Sequence, residues 1–133
     1  MEEQVMNVLR ECTKGSDEGR LSFPDVVRAL MEVGVERYSL DLQRSEKTYY
    51  LPNGDSLVVQ VARIGITPAL LFSATGVETA VREIQSNKIV YQEFCTRIAA
   101  SGCIGYFVSL AGKRVVYLGR TGESYVEPFP QAQ

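Results

Sequence analysis

The feature that most constrains this chain is a match between its two halves, found 68 residues apart and running without a gap from residue 20 to residue 58. Gly34 falls on Gly102, Tyr38 on Tyr106, Leu42 on Leu110, Tyr49 on Tyr117, Gly54 on Gly122, Ser56 on Ser124 and Val58 on Val126. Conservative pairs fill the intervals, among them Leu21 with Ile89, Phe23 with Tyr91, Asp25 with Glu93 and Leu30 with Ile98. The matches sit where a residue type is physically required: glycines that end helices or make turns, and inward aromatic positions on strands. Caps and turns common to any two such units are the competing explanation. The first helices join the pattern, Leu9 to Cys12 with Val81 to Ile84, if the second copy is four residues shorter in its loop.

Each copy reads as helix, helix, strand, strand, strand. Val5, Leu9 and Cys12 share a helical face over residues 3–13, with Gly15 as terminator and 15–19 as a loop. Ser22, Pro24 and Asp25 have the pattern of an N-cap, an early proline and a capping acid, so a second helix is expected to run to about Val33 and stop at Gly34. Tyr38, Leu40 and Leu42 then alternate with polar residues, as a strand with one buried face does. Thr48–Leu51 and Ser56–Arg63, joined through Pro52-Asn53-Gly54-Asp55, complete a meander. Residues 64–74 read as a packed connection, because Pro68 is unsuited to a central strand. Thr75 and Glu78 suggest a capping box for a third helix, Val90–Ala100 a fourth, and Ile104–Leu110, Arg114–Leu118 and Tyr125–Glu127 the last three strands. The ending PFPQAQ reads as a fraying turn.

The expected architecture is therefore α+β: one domain over 1–133, with a pseudo-repeat of about 3–63 and 75–128 and helices packed on a mostly antiparallel sheet. A chain of 133 residues has the length for one sizeable core. Two copies sharing one interior create a seam, and seams are common places for ligands.

Several chemistries are excluded by composition. The chain has no histidine, which removes the usual general base near neutral pH and the commonest metal ligand. No phosphate-cradling glycine motif is present, and no metal or cofactor site is expected. Cys12, Cys95 and Cys103 have spacings of neither a redox pair nor a zinc site, and read as buried thiols. A formal charge of -2 with scattered basic residues offers nothing to nucleic acid. The start MEEQVMNVLREC is unlike a secretory signal, and no apolar run approaches the roughly 18 to 20 residues of a membrane helix. A cytoplasmic location without a membrane partner is expected. Tyr38, Tyr49, Tyr106 and Tyr117, paired by the repeat, are the candidate ligand-binding residues: phenols meeting at a seam supply apolar walls and polar tips. Amphipathic sheet residues with buried rings would have the same pattern.

LSFPDVVRALMEVGVERYSLDL with TYYLPNGDS, and IVYQEFCTRIAASGC with VVYLGRTGESYVEPFP, carry a resemblance that extends over nearly the whole chain. The chain resembles a family of small bacterial and prophage-borne domains of unknown function, of the YdfO and YbcV type, sometimes labelled phage envelope protein. The resemblance implies a fold and a setting, and no active site. The leading functional expectation is a non-enzymatic cytosolic module for a small molecule or a protein partner, with a homodimer through a sheet edge as one option. The alternatives are a histidine-independent enzyme using Tyr, Arg and Glu in a seam pocket, and a phage-encoded inhibitor of a host protein.

Overall fold

The computed structural model of the chain describes residues 1–130. Four helices and six strands follow in the order α1 (Glu3–Asp17), α2 (Phe23–Glu32), β1 (Arg37–Asp41), β2 (Glu46–Tyr50), β3 (Ser56–Gln60), α3 (Ala74–Gln85), α4 (Tyr91–Ala100), β4 (Cys103–Ser109), β5 (Arg114–Gly119) and β6 (Ser124–Pro128). The strands form one sheet of order β3-β2-β1-β4-β5-β6, in which every neighbouring pair is antiparallel. The helices cover one face of it, which is the α+β arrangement expected from the periodicities.

The strand register explains that order. Within the first meander Tyr38 lies opposite Tyr49 and Tyr49 opposite Leu57; in the second, Tyr106 lies opposite Tyr117 and Tyr117 opposite Tyr125, the same pairs 68 residues on. Where the meanders meet, Ser39 of β1 lies opposite Phe107 of β4, its own counterpart in the match. An approximate two-fold axis at that pair relates the rest of the seam, so that Leu42 N–H donates to Ile104 O (3.0 Å) and Leu110 N–H to Glu36 O (3.1 Å). The residues of positive φ obey the same spacing: Gly19 and Asn87, Gly34 and Gly102, Ser45 and Lys113, Gly54 and Gly122.

Local chemistry sets the helix ends. Ser22 accepts the Asp25 backbone N–H at 3.3 Å while Asp25 accepts the Ser22 N–H at 3.1 Å, a complete capping box. Two helix boundaries differ from expectation, and among the strands β2 begins two residues early and β3 stops at Gln60 rather than Arg63. α1 runs through Gly15 to Asp17, because Gly15 lies where a side chain would run into Leu21, so its glycine serves close packing rather than termination. The cap of α3 is Ser73, whose hydroxyl accepts the Gly76 N–H at 3.0 Å, two residues before the expected Thr75. Because α1 and α3 end 68 residues apart, Leu9 matches Val77 and Cys12 matches Ala80, and no four-residue gap exists. Of the expected fraying tail, Phe129 is instead held: its N–H donates to Lys113 O at 2.9 Å and its ring meets Phe23 edge-on with centroids 5.2 Å apart. Residues 131–133 of that tail lie outside the described residues.

Gly105 lets the halves close at the seam. A Cβ there would lie inside contact distance of the Leu40 carbonyl oxygen on the paired strand, and backbone cannot step aside as a side-chain tip can. Gly105→Ala should lower the unfolding free energy by about 2 kcal/mol or more, as overpacking against fixed atoms does. Chemical denaturation measures this; a variant that unfolds with the parent would show the seam to have slack.

Candidate functional site

The four tyrosines expected to bind a ligand lie inward beneath the helices as neighbours in one row. Ring centroids are 5.2 Å apart for Tyr38–Tyr49, 6.5 Å for Tyr38–Tyr106 and 5.5 Å for Tyr106–Tyr117, and Tyr125 continues the row at 6.2 Å. The repeat thus brings them together, but as a buried aromatic spine whose members line neither of the two cavities described below. The Tyr49 hydroxyl pairs with Thr13 Oγ1 at 2.8 Å, and Tyr106 pairs with the Tyr91 hydroxyl at 2.6 Å. Burial pushes these phenols well above their ordinary range, so they remain neutral.

The polar groups that matter stand where the halves disagree. Lys47 of β2 is 2% exposed, on the same sheet face as Tyr49, at the position that Val115 fills in the second half. Its Nζ lies 4.6 Å from the centroid of the Tyr91 ring and 5.9 Å from that of Tyr38, and it joins no ion pair among the described residues. Burial disfavours the ammonium and lowers the Lys47 pKa, with the nearby Cys95, Asp17 and Cys12 acting weakly in the other direction. Tyr91 replaces Phe23, Cys95 replaces Val27, Asp17 stands in place of Gln85 and Gln92 in place of Pro24.

These departures converge. Asp17, Ser45, Val61, Tyr91, Gln92 and Cys95 are among the residues around a largely enclosed cavity of about 10 Å³, roughly the room one water needs. The wall is braced by Ala62 N–H donating to Asp17 Oδ2 at 2.9 Å, Val61 N–H to Ser45 O at 2.9 Å and Gln92 Nε2 to Asp17 O at 3.3 Å. At the corresponding place in the other half the match puts Phe129 for Val61, Phe23 for Tyr91, Pro24 for Gln92 and Val27 for Cys95. The Phe23–Phe129 pair fills that counterpart. Cys95 is pushed up to about 11 by burial, and stays a thiol.

The sequence reading missed Lys47 and Asp17, although two signals pointed to Lys47. Alternation along β2 places it on the face of Tyr49, and its match is a valine. All three cysteines are buried and unbridged, as expected, with Cys103 the first residue of β4.

A Tyr-Arg-Glu cluster does exist elsewhere, beside an open groove of about 290 Å³ lined by Glu78, Arg82, Glu83 and Lys88. Glu127 accepts from Arg82 Nη1 (2.7 Å), Gln85 Nε2 (3.3 Å) and the Tyr125 hydroxyl (2.7 Å), so both carboxylate oxygens are engaged in clamping α3 to β6. Burial acts to raise its pKa, but the three hydrogen bonds prevail and hold it below the ordinary value. A carboxyl lowered on folding stabilises above its unfolded pKa and loses that contribution as pH falls through the folded one. Glu127→Gln should therefore cost about 1–2 kcal/mol at pH 7, and its deficit should fade below about pH 4; a deficit independent of pH in thermal melts would contradict the charged clamp.

Among the described residues no helix is long and apolar enough to cross a membrane, and no three His, Cys, Asp or Glu stand together to hold a metal. The model of the family described as protein of unknown function (DUF1398) matches residues 12–127, and the chain belongs to that family. None of the curated proteins matches it.

Proposed function

We propose that this domain is a non-enzymatic module that binds a small molecule at the Lys47 corner, and that it arose by duplication of a helix-helix-strand-strand-strand unit. One observation carries the reading: of two corresponding corners, one is filled by a Phe–Phe pair, while the other holds a thiol, a carboxylate and a void, with a buried amine that joins no ion pair among the described residues packed on its Tyr91 wall. A polar set that weakens packing, in a fold whose other half shows the apolar solution, is the mark of a site kept for use. The tyrosine row stands behind this corner without lining it, and Tyr106 holds the hydroxyl of Tyr91, which does line it. A cytoplasmic, prophage-associated setting follows from the resemblance noted in the sequence. The enzymatic alternative has less support, because its Tyr-Arg-Glu set is consumed by the Glu127 clamp.

The experiment is a comparison of the parent with Lys47→Met. A lysine whose folded pKa is depressed destabilises most where both states are charged, and the penalty shrinks as pH rises toward the unfolded value near 10.5. Met should therefore stabilise the domain by about 1–3 kcal/mol at pH 7, with the gain diminishing toward pH 10. Thermal and urea unfolding across pH measure it. A K47M domain less stable than the parent would make Lys47 a structural residue and remove the basis for the site.

A further inference from the structure

The two edges of the sheet are matching strands with different chemistry: β3 reads SLVVQ and β6 reads SYVEP. Leu51 N–H donates to Asp55 O and Val61 N–H to Ser45 O, so the odd-numbered residues of β3 bond to β2. In an antiparallel ladder the N–H and C=O of one residue point the same way, which turns those of Ser56, Val58 and Gln60 to the free side. They take no hydrogen bond among the described residues. Gly119 N–H on Glu123 O and Phe129 N–H on Lys113 O set the same phase on β6, whose outward residues are therefore Ser124, Val126 and Pro128. Proline has no N–H to offer and is one of the devices that close a sheet edge to further strands. β3 has no proline, no charged residue and no bulge in its register with β2. Both ends of this edge are tied to α1, by the Met1 ammonium 3.2 Å from Asp55 Oδ2 and by Ala62 N–H on Asp17 Oδ2 at 2.9 Å, which holds it in shape.

We propose that two copies of this chain pair edge to edge through β3, antiparallel about a two-fold axis at Val58, and so join their sheets into one. In that register Val58 exchanges both hydrogen bonds with the partner's Val58, while Ser56 and Gln60 exchange theirs with the partner's Gln60 and the partner's Ser56. Every outward N–H and C=O of the three residues is used. β6 paired with a second β6 would set Pro128 against the Ser124 carbonyl on both sides and lose those bonds. β3 paired with a β6 would lose one and leave an edge of each kind open, a geometry that propagates instead of closing. The side chains agree with the β3 pairing. Val58, 54% exposed in the single chain, meets its equivalent on the open face, and half-buried Leu57 comes beside the partner's Val59 on the helix face. No like charges are brought opposite each other on the paired strands. A foreign peptide added to an edge gains selectivity from pockets beside it, and Ser56–Gln60 line neither of the two cavities. The chain already uses this join once, where β1 and β4 unite two meanders about a two-fold axis.

Sedimentation velocity of the parent from about 1 µM to about 1 mM should show a monomer passing to a dimer, the behaviour of a short interface. Over the same series, amide exchange followed by NMR should slow at Ser56, Val58 and Gln60 and stay unchanged at Ser124 and Val126. Val58→Lys sets two ammonium groups against each other at the axis and should abolish the dimer. Val126→Lys, the same change on the other edge, should leave it intact. Gln60→Pro, which gives β3 the proline found at Pro128, removes one donor from each copy and should weaken association about thirty-fold. Thermal melting checks that each variant is folded, and the parent's exchange series decides the matter where one is not. A parent that stays monomeric throughout overturns the proposal, as does a dimer that survives Val58→Lys, keeps its strength in Gln60→Pro or is lost in Val126→Lys. So does a dimer whose three β3 amides exchange as fast as those of the monomer.

Discussion

The pairing of β1 with β4 is the contact on which the rest of the molecule depends. Each three-stranded meander is closed by local turns, and a lone meander with two helices has a small interior. Joining them edge to edge makes one six-stranded sheet and lets the buried tyrosines of both halves meet across the seam. The same junction removes two sheet edges that would otherwise present unpaired backbone groups. Gly105 and the symmetric bonds of Leu42 and Leu110 show how closely the two strands approach there.

A shared backbone plan does not require a shared interior. With the register repeated throughout, differences between the halves reduce to side chains, and at buried positions such as Leu9 and Val77, Leu30 and Ile98, or Leu40 and Val108 they are apolar exchanges. Lys47 in place of valine is of another kind, because a buried amine without an opposite charge has a desolvation cost that hydrophobic packing elsewhere must offset. Thr13 in place of valine is milder, since its hydroxyl bonds both the Leu9 carbonyl and Tyr49. The contrast separates a hydroxyl held by two hydrogen bonds from an amine set against aromatic faces with no ion pair among the described residues.

What could be read from the sequence was what local physics decides. Ser22 with Asp25, the glycines at 34 and 102 and the alternation in β1 are each specified by a few neighbouring residues, and each forms as expected. Gly15 misled because a glycine tolerated for packing looks like one that ends a helix; only Leu21, folded back onto it, tells them apart. The tyrosines were located correctly on the sheet, but whether rings on one face line a void or fill it depends on what the helices place above them. The Lys47 corner draws on α1, β2, α4 and the stretch after β3, segments as far apart as Asp17 and Cys95, and such a convergence has no signature within a sequence window.

The seam also carries a trace of what linking two units into one chain makes possible. In a symmetric pair of separate half-chains, the side chain on the axis faces its own copy, so a large residue must meet a large one and a small residue a small one. In the duplicated unit proposed above, that position is Ser39 in one half and Phe107 in the other, a slight side chain beside a bulky one. Covalent connection thus frees the axis from self-complementarity, and the same freedom allows two corners at matching positions to hold different contents.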